Sequence, residues 1–158
     1  MGEKKGKVRL QKLAYLISLA VGMDDKYFEA GYFGPYSGRV AYEIDKLCNL
    51  NLMREEISPL GDERVIHTYS LTSQGRALCE ELIKAYPQEY ERIRDFMAKT
   101  KDVQDGELVK ATKTCMLVRV FFMDEVGEKA SRMGWQLSKE DVKEALEKLE
   151  RMDTRWWV

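Results

Sequence analysis

The residue types that most often do chemistry are sparse here. The sequence holds one histidine, His67, and three cysteines, Cys48, Cys79 and Cys115. A general base or an activated thiol needs an orienting partner within hydrogen-bond reach. His67 lies in Arg64 to Leu71, where Val65, His67, Tyr69 and Leu71 alternate onto one face of an expected strand. A packed or hydrogen-bonded strand histidine is the expectation there. Cys48 and Cys79 fall on inward helix faces, where a thiol acts as small apolar filling. The neighbouring carboxylates Glu55-Glu56 and Glu80-Glu81 point in different directions, so neither pair makes an acid–base dyad. There is no Gly-rich phosphate loop and no metal-ligand spacing. The expectation is a protein that is not an enzyme and that needs no cofactor and no metal.

Charge is the other chemistry to place. Net charge is −1, so a basic footprint for nucleic acid must be local. The N-terminal segment supplies one, with Lys4, Lys5, Lys7, Arg9 and Lys12 against Glu3 alone. The stretch 54–64 opposes it, with Arg54 and Arg64 against Glu55, Glu56, Asp62 and Glu63. An apolar fraction of 44% beside 34% charged residues marks a folded globular chain rather than a disordered one. Three widely spaced cysteines argue against a disulfide framework and for a reducing compartment. The longest apolar run, Cys115 to Met123, is broken by Arg119 and falls short of the ~20 residues that span a bilayer. No signal pattern opens the chain. A cytoplasmic protein without membrane contact is expected.

The elements that position these groups centre on Gly34-Pro35-Tyr36-Ser37 and the helix that follows, to about Leu50. Pro35 disfavours helix at Gly34, Ser37 is a good N-cap, and Asn51 suits a left-handed residue just past the helix end. Val40, Ala41, Ile44, Leu47 and Cys48 are expected inward. Gly38, Arg39, Tyr42, Glu43, Asp45, Lys46 and Asn49 are expected outward. Before this helix, Val8, Leu10, Leu13, Leu16, Ile17 and Ala20 predict a first helix from about Gly6 to Gly22, with Tyr15 near the edge of its stripe. Asp24 to Phe33 reads as a short helix or an extended link, its aromatics Tyr27, Phe28, Tyr32 and Phe33 packed beneath the Ser37 helix.

After it come two strands, Leu52 to Ile57 and Arg64 to Leu71, joined by a loop at 58–63. Thr72 caps a helix to about Tyr86, with Leu78, Cys79, Leu82 and Ile83 inside and Gly75 placed for close approach to the strands. Pro87 restarts a helix to about Thr100. Leu108 to Met123 reads as a central buried helix whose Arg119 needs a carboxylate or a route to water. Gly127 to Gly134 reads as a loop or loose helix. Ser138 and Asp141 form a capping box for a last helix, with Leu137 stapled on Val142.

Three motifs carry a family resemblance. Arg9-Leu10-Gln11-Lys12-Leu13-Ala14-Tyr15-Leu16-Ile17 resembles the opening helix of the Panacea antitoxin-type domain and its small bacterial and archaeal relatives. Gly34-Pro35-Tyr36-Ser37 with Val40, Glu43-Ile44 and Leu47 looks like their central motif. Tyr69-Ser70-Leu71-Thr72-Ser73-Gln74-Gly75 is similar to the strand-to-helix corner of many winged-helix regulators. The match covers about 8–85. Where Asn51 stands, relatives tend to have Gly. The resemblance implies neutralisation of a partner toxin by binding, and no catalysis.

The sequence therefore reads as mostly α (α+β): a winged-helix-like module over 1–86 with a two-stranded β-hairpin, and a helical extension over 87–158 packed on it. The expected function is a non-enzymatic cytoplasmic regulatory module. It would bind a protein partner, a toxin or a regulator, through Tyr36, Arg39, Tyr42, Glu43 and Lys46, since Tyr and Arg are enriched at interface hot spots. The alternative is a winged-helix DNA-binding transcriptional regulator that uses Lys4, Lys5, Lys7, Arg9, Arg39 and Lys46 on phosphates. The terminal pair Trp156-Trp157 docks on the core or joins a homodimer.

Overall fold

A computed structural model describes residues 4–61 and 63–152. Strand β1 (Lys4–Lys5) leads into helix α1 (Lys7–Ala20), followed by a 3-10 turn at Asp25–Tyr27. Strands β2 (Glu29–Gly31) and β3 (Gly34–Tyr36) form a small hairpin, and helix α2 (Gly38–Asn49) follows. Strands β4 (Met53–Gly61) and β5 (Arg64–Leu71) come next. Helices α3 (Ser73–Ala85), α4 (Pro87–Thr100), α5 (Asp105–Val118), α6 (Val126–Arg132) and α7 (Lys139–Arg151) complete the described chain. The class is mostly α with small antiparallel sheets, an α+β fold, and its order of α2 then hairpin then α3 is winged-helix-like.

The sheet holds more than the expected hairpin. β1 pairs antiparallel with β5, Lys4 opposite Tyr69, giving the order β1-β5-β4. The β4–β5 ladder runs from Met53 opposite Leu71 to Gly61 opposite Arg64, so the expected loop at 58–63 is mostly strand. The turn is tight because Gly61 and Glu63 take left-handed backbone, at φ 83° and 62°.

The core lies between α1 and the later helices. Leu13, Tyr15, Leu16 and Leu19 of α1 pack with Phe96, Leu108, Ala111, Cys115, Leu149 and Met152. Tyr15, expected at a stripe edge, is fully buried and meets Phe28 edge-on at 5.2 Å. A second cluster gathers Leu117, Val126, Ala130, Trp135 and Val142, with Leu137 packed against it. The expected capping box at Ser138 and Asp141 forms, with both reciprocal hydrogen bonds present. Asp141 also pairs with Lys110 at 2.5 Å, and these bonds hold its carboxyl down at about 2.

Three further sequence expectations are corrected. The run 117–123 is not the end of a central helix. α5 stops at Val118, and Val120, Phe122 and Met123 lie exposed, Phe122 at 80%. Arg119 does find a carboxylate, its Nε 3.0 Å from Asp25 Oδ2. On α3, Leu78 and Leu82 are exposed rather than inward, since α3 buries only Gly75 fully. Of the four aromatics expected beneath α2, only Phe28 packs against the core. Tyr27, Tyr32 and Phe33 are exposed. No helix among the described residues is long and apolar enough to cross a membrane. Trp156 and Trp157 lie outside the described residues.

Candidate functional site

Helix α2 is held by its ends. At its start Ser37 is fully buried, and its hydroxyl accepts from the Val40 amide at 3.3 Å. Gln11 of α1 grips the same residue twice. Its Nε2 donates to the Ser37 carbonyl at 3.0 Å, and its Oε1 accepts from the Ser37 amide at 2.9 Å. Lys12 follows, donating from Nζ to the Pro35 carbonyl at 2.6 Å. Gly34 stands at φ 100°, and a Cβ there would lie 3.0 Å from Lys113 Cγ of α5, so both backbone and space call for glycine.

At the other end Asn51 takes the expected left-handed conformation, φ 55°. The Thr72 hydroxyl donates to the Asn51 carbonyl at 2.6 Å, and the Thr72 amide donates to the Leu52 carbonyl at 3.1 Å. Thr72 Oγ1 also caps α3 by accepting from the Gly75 amide at 3.0 Å. The first and third sequence motifs are thus the two clamps on the second. Replacing Gln11 with leucine keeps much of the buried volume but leaves the Ser37 amide without its acceptor. A loss of about 1–3 kcal/mol in a urea melt is expected, and an unchanged midpoint would show that the clamp is not structural.

Between its clamps α2 has no fully buried residue. Two cavities flank it. One, of about 350 Å³, opens between α1, the β2–β3 hairpin and α2. The other, of about 530 Å³, is lined by Leu13 and Ile17 of α1, Val40 and Ile44 of α2, and Ile93 and Met97 of α4.

The outward face carries the expected residues. Tyr36, Arg39, Tyr42, Glu43 and Lys46 are all exposed, Tyr42 at 64%. Two aromatics not assigned to it from sequence extend the surface: Tyr32, 81% exposed, meets Phe33 edge-on at 4.8 Å at the hairpin tip. The Arg39 guanidinium lies 4.6 Å from the Tyr27 ring centre. Lys46 and Glu43 face each other at 3.6 Å, so the helix shows little net charge.

The basic groups named for DNA are dispersed by the fold. Lys12 is 2% exposed beneath the Gly34–Pro35 turn. Arg9 is spent on the α4–α5 connection, at 2.6 Å from Asp105 Oδ1, 2.9 Å from the Val103 carbonyl and 3.3 Å from the Thr100 carbonyl. Lys7 Nζ lies 3.5 Å from Glu55 Oε1. Lys4 and Lys5 form an edge strand. Lys7, Arg9 and Lys12 of that basic run therefore do not present one face.

His67 sits as expected in a hydrogen-bonded strand setting, with a partner that adjacency alone did not reveal. Its Nδ1 is 2.7 Å from Glu55 Oε1, and the Tyr69 hydroxyl donates to the same oxygen at 2.7 Å. The Tyr69 hydrogen bond, then that of His67, holds the Glu55 carboxyl below its usual range, while burial and Glu55 push the Tyr69 phenol up. Cross-strand spacing carries the signal: Glu55 is opposite Tyr69, and His67 is two residues along. A carboxylate so engaged is a brace between strands rather than a free base. Cys115 is buried, and burial pushes its thiol up to about 12.

Two residues unmarked in the sequence complete the surroundings. Trp135 is buried, and its indole Nε1 donates to the Gly31 carbonyl at 2.8 Å, tying the hairpin to the second core cluster. Lys113 Nζ lies 5.4 Å from the Trp135 ring centre. No sequence pattern links positions 31 and 135, so only the fold brings them together. No group of three or more metal-ligating side chains occurs among the described residues.

Fold and site define a mostly helical α+β module that displays one end-clamped helix beside an exposed aromatic hairpin. No family model matches the chain. Over 79 residues it is 30% identical to the uncharacterised protein YwgA of Bacillus subtilis (strain 168). The matched stretch is 50% of this chain and 47% of YwgA, so the chain spans about half the length of that curated relative.

Proposed function

We propose that the protein is a non-enzymatic cytoplasmic regulatory module that binds a protein partner through the outward face of α2. The observation that carries this reading is exposed Arg39 and Tyr42 on a helix fixed at both ends, with exposed Tyr36 at the end of β3 just before it and Tyr32 and Phe33 on the same hairpin. Rigid, exposed tyrosines beside an arginine are what interface hot spots are made of, because their large contact area orders at small entropic cost. Glu43 and Lys46 form a charged rim to the patch. Three unpaired cysteines support a reducing compartment. Neutralisation of a partner by binding, which the antitoxin-type resemblance implies, agrees with this surface. The acidic β4–β5 hairpin and the dispersed basic groups weigh against DNA as the main ligand.

The test is capture of a defined partner by the wild type against Arg39→Ala and Tyr42→Ala. Both variants should lose most of the captured partner, while melting stays within about 1 kcal/mol of wild type, since surface substitutions rarely cost more. Undiminished capture would sink the reading. A salt-sensitive mobility shift on generic duplex DNA would favour the regulator instead, because phosphate contacts are strongest at low salt.

A further inference from the structure

The cavity of about 350 Å³ beside α2 has a chemical character of its own. Its walls are apolar and aromatic: Val8 of α1, Ala41 and Ile44 of α2, and the rings of Tyr32, Phe33 and Tyr36 at the mouth. Lys12 lies among the lining residues and is almost wholly buried. An ammonium has three hydrogens to donate, and the Pro35 carbonyl takes one. Among the described residues no carboxylate pairs with Lys12, and the neighbouring charge is a second cation, Lys113. Burial first and then Lys113 lower the Lys12 pKa to about 8, so the ammonium still predominates at neutral pH. A buried cation without an anion is costly unless something supplies one.

Two other polar groups at the cavity, Gln11 and Tyr69, are already engaged. Gln11 spends both ends of its amide on Ser37, and the Tyr69 hydroxyl donates to Glu55. Lys7 at the rim faces Glu55, and Asp45 at the rim is acidic. Glu55 offsets Lys7, so Lys12 and its neighbour Lys113 against Asp45 leave one net positive charge at the site. That suits a monoanion rather than a phosphate dianion, which would call for an arginine fork or a row of backbone amides. The volume lies at the small end of ligand sites, and a ring is the shape its walls match.

We propose that this cavity binds a small aromatic carboxylate, its carboxylate on the Lys12 ammonium and its ring between α2 and the aromatic side chains of the hairpin. The cavity shares Tyr32, Phe33 and Tyr36 with the proposed partner surface, but its anion contact, Lys12, lies beneath that surface and its test needs no protein partner.

Benzoate and indole-3-acetate are the probes, titrated into the purified protein while backbone amide resonances are followed. Saturable shifts at Gly31, Gly34 and Ala41 are expected at millimolar ligand. Neutral benzamide should bind roughly tenfold more weakly or worse, because it forfeits the charged hydrogen bond. Lys12→Met should weaken benzoate by a similar factor. If that variant fails to fold, Ala41→Phe decides, since it keeps Lys12 and fills the cavity from α2. Loss of benzoate binding in the folded Ala41→Phe protein supports the site. The proposal is overturned by benzamide binding as well as benzoate, by wild-type affinity in either folded variant, or by no saturable shift at all.

Discussion

Gly75→Ala is expected to destabilise the protein by about 3 kcal/mol, at the upper end of what overpacking usually costs. A Cβ built on Gly75 would stand 1.9 Å from the Leu52 carbonyl oxygen and 2.9 Å from its carbon. Both obstacles are backbone, so no side chain can rotate away. That carbonyl is already fixed by the Thr72 amide, whose own hydroxyl caps α3 on Gly75. Relief of the clash must pull the start of α3 off the end of α2 and break this corner. The gain in helix propensity from Gly to Ala, up to about 1 kcal/mol, works in the other direction and is outweighed. The melting temperature should fall by roughly 6–12 °C for a chain of this size.

Gly106 provides the matched control. It also lies in the first turn of a helix, but a Cβ there meets nothing within 4 Å. Gly106→Ala is expected to be neutral or to stabilise by about 0.4–1 kcal/mol through the unfolded chain. Thermal melts of the two variants should move apart in sign. Equal melts would show that the α2–α3 corner is loose and that the close approach is not what fixes glycine at position 75.

The contrast shows which parts of the fold were legible in the sequence. Local chemistry was. Ser37, Thr72 and Ser138 cap where their hydroxyls suit unpaired amides, Asn51 turns left-handed, and Pro87 restarts a helix. These depend on groups three or four residues apart. Long-range placement was not legible. Lys4 and Lys5 carry no strand signature, and they pair because β5 offers an open main-chain edge. The β2–β3 hairpin turns on Tyr32-Phe33 between Gly31 and Gly34, and it is anchored by an indole 104 residues away.

Apolar periodicity misled where it could not report cover. Leu78 and Leu82 lie on one helical face, yet both stay exposed, at 41% and 47%. The run after Val118 is apolar, yet Val120 and Phe122 face water. Of the candidate site, the face of α2 was readable from spacing alone. The cavity beside it was not, because Lys12 reads as one more base in a basic run until Gly34 and Pro35 close over it.

Trp135→Ala should produce the largest loss, about 3–5 kcal/mol, the usual range for truncating a buried tryptophan. The indole is 2% exposed and packs among Leu117, Val126, Ala130 and Val142, side chains from α5, α6 and α7. Its removal leaves a void where three helices meet. α5 and α7 are tied by Lys110–Asp141 and Lys148–Glu107, both at 2.5 Å, so collapse into the void is restricted.

Trp135→Phe separates packing from hydrogen bonding. Phenylalanine keeps most of the apolar contact but cannot donate to the Gly31 carbonyl. The stability loss should be smaller, about 1–2 kcal/mol, with one lost hydrogen bond as its main part. Its local effect should be disproportionate, because that bond is the hairpin's tie to the second core cluster. Chymotrypsin cleavage after Tyr32 or Phe33, already exposed at the tip, should accelerate in Trp135→Phe well before global unfolding. Cleavage at the wild-type rate would mean that the Gly31–Gly34 pairing and the clamp of Lys12 on Pro35 hold the hairpin unaided. Faster cleavage with a nearly unchanged melt would show that a tryptophan beyond the sequence motifs sets the position of the aromatic surface beside α2.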